Sequence, residues 1–265
     1  MPAETILITG ASSGIGLELA RCFAREQFAN ESARIVLVAR NTEALESLAA
    51  ELRRDWKVQV TVLPADLSLS ETPKKIFAEL SAQKISVDVL VNNAGFGAHG
   101  SFSELSLPRQ LEMLQVNIAA LTELTGLFLP GMIQQKRGGI LNVGSVAGFQ
   151  PGPGMAVYYA TKAFVLSFTE ALAEELLGTG LTVSVLCPGP TESNFGNVAR
   201  GKKVRSLKTS KMTSAAVAEY GHRAFRKGKI TAVPGAQNKM FVFLNRILPR
   251  SFPRKIVKLY NRTSE

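Results

Sequence analysis

Histidine and cysteine are nearly missing: the 265 residues include two of each, His99, His222, Cys22 and Cys187. Two scattered histidines exclude a metal centre of the usual imidazole and thiolate type, so no metal is expected. Two cysteines, each inside an apolar segment of regular pattern, exclude a disulfide framework and point to a reducing, cytoplasmic setting. The opening MPAETILITG lacks the basic flank, apolar stretch and cleavage site of a signal peptide. No uncharged apolar run reaches the roughly 18 residues needed to cross a bilayer, and a soluble chain is expected. Repeats, low-complexity tracts and linkers are absent too. With 46% hydrophobic residues, enough for a continuous core, the expectation is a single domain over residues 1–265.

Acidic residues are scarce in one place only. Residues 195–265 hold 17 of the 31 basic side chains and 2 of the 21 acidic ones, so the net charge of +10 belongs to the last quarter and the rest is net acidic. Such an asymmetry suits anionic lipid, nucleic acid, a charged substrate or a merely solubilising face.

What is abundant is alternation of short β-branched runs with longer stretches of helical period. TILIT (5–9), RIVLVA (34–39), VQVTVL (58–63), VDVLV (87–91), GGILNVG (138–144), LTVSVLC (181–187) and ITAV (230–233) read as seven strands, with helices such as 43–54 and 158–177 between them. Most runs are continuously apolar, as strands covered on both faces are. The fold class is therefore α/β, a doubly wound Rossmann-type seven-stranded parallel sheet with helices on both faces. Segment 196–211, polar, basic and broken by glycine, reads as a lid or as a plain surface loop.

TGASSGIG (9–16) follows the first strand and places Gly10, Gly14 and Gly16 at the opening of a helix. Glycines there allow a tight turn and close approach of backbone to phosphate, and the helix N-terminus offers N–H groups to an anion. The second strand ends at Arg40 and Asn41. A carboxylate at that place would bind the ribose 2′-hydroxyl of NAD, whereas an arginine can clamp a 2′-phosphate, so NADP is expected; an ordinary surface arginine is the alternative. Asp66 ends the third strand and suits either the adenine amino group or a helix cap.

In YYATK (158–162), Tyr158 and Lys162 are four apart and share a helix face, while Tyr159 pairs by the same rule with Ala163. Bringing a phenol from about 10 to about 7 needs ~4 kcal/mol of preference for the phenolate. One ammonium at about 4 Å supplies that order of energy at an effective dielectric of 20, aided by a cationic nicotinamide ring. Tyr158 is thus the expected acid/base, and Tyr159 is expected to pack.

TGASSGIG, NNAG (92–95), the Asn of QVNIAAL, a Ser 13 residues before YYATK, and CPGPT (187–191) together resemble the short-chain dehydrogenase/reductase family, in its short single-domain branch, over about residues 4–195. The resemblance implies that Tyr158 is the acid/base, that Lys162 lowers its pKa and binds the nicotinamide ribose, that Ser145 holds the substrate oxygen and that Asn117 supports a proton-relay water. It further implies a phosphate turn of Gly10, Ser12, Ser13, Gly14, Ile15 and Gly16, an adenosine side lined by Asn93, Ala94 and Gly95, and a nicotinamide side approached by Pro188, Gly189 and Thr191. Arg40 is similar to the family's NADP-preferring members. Relatives of this type imply a homodimer or homotetramer. EQFANESAR, between the first helix and the second strand, is longer than the family's compact glycine turn, and altered surroundings at the adenosine end are expected from it.

Phe96, Phe149, Met155, Pro190 and Phe195, with His99 nearby, suggest an apolar pocket for a small lipophilic carbonyl or alcohol, unless they belong to the core or to a subunit interface. His99 is read as ordinary surface. Segment 239–262 mixes apolar and basic side chains without an acid, which fits peripheral membrane contact or packing on the protein; nucleic-acid binding has no recognised module to support it. The functional expectation is an NADP-dependent oxidoreductase interconverting a carbonyl and a secondary alcohol. A nucleotide-binding, membrane-associated regulatory protein with little turnover is the alternative. A sugar epimerase or dehydratase is disfavoured, because the chain leaves little room for a second substrate domain.

Overall fold

The computed structural model describes residues 3–192, 211–249 and 251–261. Phe195, and all of the segment 196–211 except Lys211, lie outside the described residues. Nine strands occur among the described residues: β1 (Thr5–Thr9), β2 (Arg34–Ala39), β3 (Gln59–Pro64), β4 (Val89–Asn92), β5 (Gly139–Val143), β6 (Thr182–Leu186), β7 (Thr191–Glu192), β8 (Met212–Thr213) and β9 (Thr231–Ala232). Seven form one parallel sheet in the order β3-β2-β1-β4-β5-β6-β9, and β7 pairs with β8 in a small separate ribbon. All seven apolar runs read from the sequence are these strands.

The helices are α1 (Gly14–Glu26), α2 (Thr42–Trp56), α3 (Thr72–Ala82), α4 (Leu107–Leu114), α5 (Leu121–Gln135), α6 (Ala156–Glu175), α7 (Ser214–Arg226), α8 (Ala236–Ile247) and α9 (Ser251–Tyr260). They cover both faces, which is why the strands need no polar side. In β1, Ile6 and Ile8 join a core with Leu19 and Phe23 of α1, Leu45 and Leu52 of α2 and Phe225 of α7. Leu7 points the other way, into a second core with Leu80 of α3, Leu124 and Phe128 of α5 and Leu172 of α6. β2 repeats the alternation, Ile35 and Leu37 on one side, Val36 and Val38 on the other. A run of four or five apolar residues therefore fills two cores at once.

A buried polar ladder locks the central strands to α5 and α6. Asn92 and Asn142 are register partners on β4 and β5. Asn92 Nδ2 donates to Asn142 Oδ1 (2.9 Å) and Thr125 Oγ1 (3.2 Å), and Asn142 Nδ2 donates to Thr169 Oγ1 (2.9 Å). Between α4 and α5 the helix widens into a π-helical turn, Gln115–Ala120. The continuous run Leu107–Gln135 is long and apolar enough to cross a membrane by length and composition. In this fold its residues Leu121, Leu124, Phe128 and Met132 are buried.

Strand order reverses between β1 and β4, and the crevice at such a switch point opens at the carboxyl ends of the strands. The long turn between α1 and β2 lies at the opposite end, because it leads into the amino end of β2. There Gln27 is buried with its amide on Glu4 (3.2 Å), and Phe28 meets Trp56 edge to face. The lengthened turn therefore does not alter the adenosine end, contrary to the expectation drawn from EQFANESAR.

Candidate active site

The crevice is assembled from the turn after β1, the segments after β4 and β5, the start of α6 and the loop after β6. In the first, Gly10 and Gly14 take positive φ (66° and 60°), and a Cβ on Gly16 would overlap the Asn93 amide and the Gly10 carbonyl. Glycine is required there for space and backbone shape alike. Ser13 occupies the N-cap of α1 but does not cap it with its side chain, and the first turn carries no acid. The first N–H groups of a 13-residue helix are thus left without a side-chain cap or an acid in the first turn, a setting that suits a pyrophosphate.

Asn93 and Ala94 hold that turn in place. Their backbone N–H groups both donate to Thr9 Oγ1 at 3.0 Å, and Asn93 Nδ2 donates to the carbonyls of Thr9 (2.9 Å) and Gly10 (3.1 Å). The Asn93 amide acts as a brace between β1 and β4 and has no hydrogen left for a nucleotide. At the adenosine end, Arg40 is exposed directly after β2. Asn41 caps α2, its Oδ1 accepting from Ala44 N at 3.0 Å, so that oxygen is committed to the helix. Asp66 likewise accepts from Ser68 N at 3.0 Å. Against the effect of burial, the Ser68 backbone and hydroxyl and the Arg40 charge hold its carboxyl below the ordinary value, which places Arg40 and Asp66 in one electrostatic neighbourhood.

The reacting end centres on α6. Tyr158, Thr161 and Lys162 fall on one helix face and are all buried. The Ser145 hydroxyl, just past β5, is near enough to the Tyr158 phenol to act on its ionisation. Ser145 Oγ also accepts from Ala147 N (3.1 Å) and reaches Pro188 O at 3.4 Å, which fixes the hydroxyl between the β5 and β6 loops. Lys162 Nζ donates to Val143 O at 2.8 Å and lies 6.0 Å from the centre of the Tyr158 ring.

Asn117, in the π turn, is 1% exposed. Both its amide hydrogens are used, on Phe96 O (2.9 Å) and Thr161 Oγ1 (3.0 Å), and its Oδ1 accepts from Phe96 N (3.1 Å). The side chain therefore positions the backbone after β4 and the start of α6, and has no donor to spare for a relay water. A Cβ at Gly95 would come within 3.0 Å of Asn117 Oδ1 and 3.5 Å of Lys162 Nζ, so Gly95 stands directly against both.

Protein groups alone do not make the phenol acidic. Burial pushes Tyr158 up to about 12, with the Ser145 hydroxyl opposing it, and burial brings Lys162 down to about 8. Burial dominates at both groups, and Lys162 is not among the groups that act on the phenol here. Cys187 beside them is pushed up to about 12, chiefly by burial, and is an inert thiol.

Phe96 and Met155 pack around Tyr158 with Ala98, Met113 and Ala147. Phe149 turns instead into the neighbouring cluster with Val165, Val185 and Val233, so the structure does not bring it to the phenol. Tyr159 packs on Gly152 and meets the Tyr158 ring edge to face at 6.0 Å, as packing residues do. His99 Nε2 is bonded to Asn261 O at 2.8 Å, and its role is to tie a loop to the end of α9. Thr191 Oγ1 donates to Gly189 O (2.9 Å), and Gly189 is closed in by Asn238 of α8. Pro190 is exposed. Sequence reasoning missed Thr9, Val143, Thr161 and Asn238. Thr161 was within reach, being three residues after Tyr158 on the same helix face; the carbonyl of Val143 and the side chain of Asn238 leave no sequence signal.

A glycine-rich helix N-terminus at a strand-order switch point, with Ser145 just past β5 and Tyr158 and Lys162 on one face of α6, defines an α/β oxidoreductase built for a nicotinamide dinucleotide. Residues 4–203 match the model of the short chain dehydrogenase family. The chain is 30% identical over 264 residues to the ketoacyl reductase HetN of Nostoc sp., covering 96% of this chain and 88% of that protein. It is 33% identical over 199 residues to the NADP-dependent 3-hydroxy acid dehydrogenase of Schizosaccharomyces pombe, covering 75% of each. The solved short-chain dehydrogenase from Sphingobium yanoikuyae in complex with NADPH superposes with a TM-score of 0.80 at 32% identity, over 93% of this chain and 96% of that one. The chain belongs to the short-chain dehydrogenase/reductase family.

Proposed function

We propose that this oxidoreductase is NADP-dependent and interconverts a lipophilic ketone or aldehyde and the corresponding alcohol. The observation that carries the reading is the Tyr158 phenol buried among Ala98, Met113 and Ala147 within reach of Ser145, with Lys162 buried on the same helix face. The nicotinamide, when bound, supplies or takes up the hydride at the substrate carbon. Gly10, Gly14 and Gly16 allow the tight turn at the start of α1 that suits its pyrophosphate, and the exposed Arg40 suits a 2′-phosphate. The NADPH complex of the Sphingobium enzyme and the NADP dependence in the name of the Schizosaccharomyces relative support the same choice.

Ser145 holds the substrate oxygen, and Tyr158 gives its proton to that oxygen during reduction. A phenol raised to about 12 stays protonated at neutral pH, the state required of the donor in the reductive direction. Phe96 and Met155 exclude water around it, and the ketoacyl and 3-hydroxy acid relatives fit an oxygen-bearing substrate with an apolar body. Cofactor choice is tested by fluorescence titration with NADPH and NADH: tighter NADPH binding supports the reading and equal affinities oppose it. Substrate class is tested by following NADPH absorbance with water-soluble and lipophilic carbonyl compounds, where absence of turnover throughout would favour a nucleotide-binding regulator.

For assembly we infer a homodimer or homotetramer. Leu107, Leu111 and Leu114 form an exposed stripe on α4, beside an Arg109–Glu112 pair that carries both signs of charge. Sedimentation velocity on wild type and Leu111→Lys checks this, a smaller species in the variant being the expected result. A cytoplasmic location rests on the two cysteines, both free and buried.

A further inference from the structure

α8 carries apolar side chains on its outer side as well as toward the protein. Toward the protein it turns Val242, which packs on the cluster of Val165 and Val185, and two asparagines: Asn238 packs on Gly189 and donates to Pro234 O (2.7 Å), and Asn245 donates to Gln150 Oε1 (2.9 Å). Four other apolar residues face outward, Met240, Phe243, Leu244 and Ile247 at 60%, 58%, 39% and 62% exposure. These are spaced three and four apart, one continuous stripe on a helix of which no residue is fully buried.

α9 adds a second stripe. Pro253 and Val257, with Asn261 just beyond the helix, are buried against the protein, while Phe252, Ile256 and Leu259 are exposed at 50%, 45% and 68%. Arg254, Lys255 and Lys258 are exposed as well and, by helix geometry, occupy the arc beside that stripe. Three arcs on one helix, one seated on protein, one apolar and open, one cationic, match a helix lying in a lipid interface, with long basic side chains reaching out to headgroups.

We propose that α8 and α9 together form a docking surface for an anionic lipid bilayer. Charge decides the occupant: among the described residues α8 and α9 carry Lys239, Arg246, Arg254, Lys255 and Lys258, all exposed, and no acid, so a second copy of this chain on the same face would set cation against cation. An anionic headgroup layer neutralises those groups and offers an apolar phase to the two stripes. The surface is also tied to the active site, since Asn245 holds Gln150, Asn261 Nδ2 holds Pro153 O (2.9 Å) and Asn261 O holds His99, all on loops flanking Tyr158. Docking sets those loops at the membrane surface, where a lipophilic carbonyl compound would be taken directly from the lipid phase.

The test is co-sedimentation of the full chain, without nucleotide, with phosphatidylcholine vesicles and with vesicles in which about one third of the lipid is phosphatidylserine. The proposal expects binding to the anionic vesicles only, reversed by salt. Lys255→Glu/Lys258→Glu should weaken partitioning by about two orders of magnitude, and Phe243→Ser/Leu259→Ser should weaken it without any change in charge. Lys227→Glu/Lys229→Glu, an equal reversal at the exposed turn after α7, should leave it nearly unchanged. NADPH titration of each variant checks the fold independently of vesicles and keeps this result separate from the catalytic assignment. Equal binding to neutral and anionic vesicles would overturn the proposal, as would equal weakening by the α7-turn reversal. Loss of a homodimer in Phe243→Ser/Leu259→Ser, with no vesicle binding by wild type, would overturn it too.

Discussion

Replacing Lys162 by Met should destroy turnover and yet stabilise the protein. The Lys162 ammonium is buried, donates to a single described carbonyl, that of Val143, and no carboxylate contributes to its electrostatic environment. Burial lowers its pKa from 10.5 to about 8, a shift corresponding to about 3 kcal/mol against the charged form. The sign follows from proton counts. The unfolded chain keeps this proton up to about 10.5 and the folded chain releases it near 8, so between those values the unfolded state binds more protons and stability rises with pH; below about 8 the full penalty is present. Methionine removes the penalty but leaves the Val143 carbonyl without its donor, a loss of about 1–2 kcal/mol. The balance near neutral pH is a gain of about 1–2 kcal/mol for Lys162→Met, read as a higher urea midpoint at unchanged slope. The wild type should become more stable between pH 8 and 10, and the variant should lack that rise. A variant less stable than wild type near neutral pH, or a wild type with no rise through that window, refutes the reasoning. The charge would be retained for function at a cost in stability.

Three further outcomes follow from the same geometry. Arg40→Asp should lower NADPH affinity by about one to two orders of magnitude while NADH binding is kept or improved, as fluorescence titration will show. Gly16→Ala, which drives a methyl into the Gly10 carbonyl and the Asn93 amide, should weaken binding of both dinucleotides more than about tenfold, measured by the same titration. The rate of carbonyl reduction should hold through neutral pH and decline above about 8 as Lys162 discharges, whereas alcohol oxidation, which needs the phenolate, should rise with pH; stopped-flow NADPH absorbance against pH reads both.

The sheet was legible in the sequence because strands buried on both faces must be apolar throughout, and Ile6, Leu7 and Ile8 show the two cores that require it. Placement of Tyr158 and Lys162 together was legible for a related reason, as helical periodicity alone puts residues four apart on one side. The charge balance at that pair was not. Spacing says where an ammonium is and nothing of how much water the pair has lost, and burial of the protein groups pushes Tyr158 up. Asn93 and Asn117 were found by position, but not as braces, because the partners that use up their amide hydrogens are mostly backbone carbonyls brought near by tertiary packing. The outward apolar stripe of α8 was hidden as well: the sequence displays apolar residues around the helix without saying which turn to the protein, and Val242 with the two asparagines found partners there while Phe243 and Leu244 stayed exposed.

The central claim is that the Tyr158 phenol delivers the proton in carbonyl reduction, and the most direct measurement is single-turnover oxidation of bound NADPH by Tyr158→Phe beside wild type. The variant should bind NADPH as wild type does and transfer hydride about 10²–10⁴-fold more slowly; an unchanged rate at saturating cofactor and substrate would contradict the account.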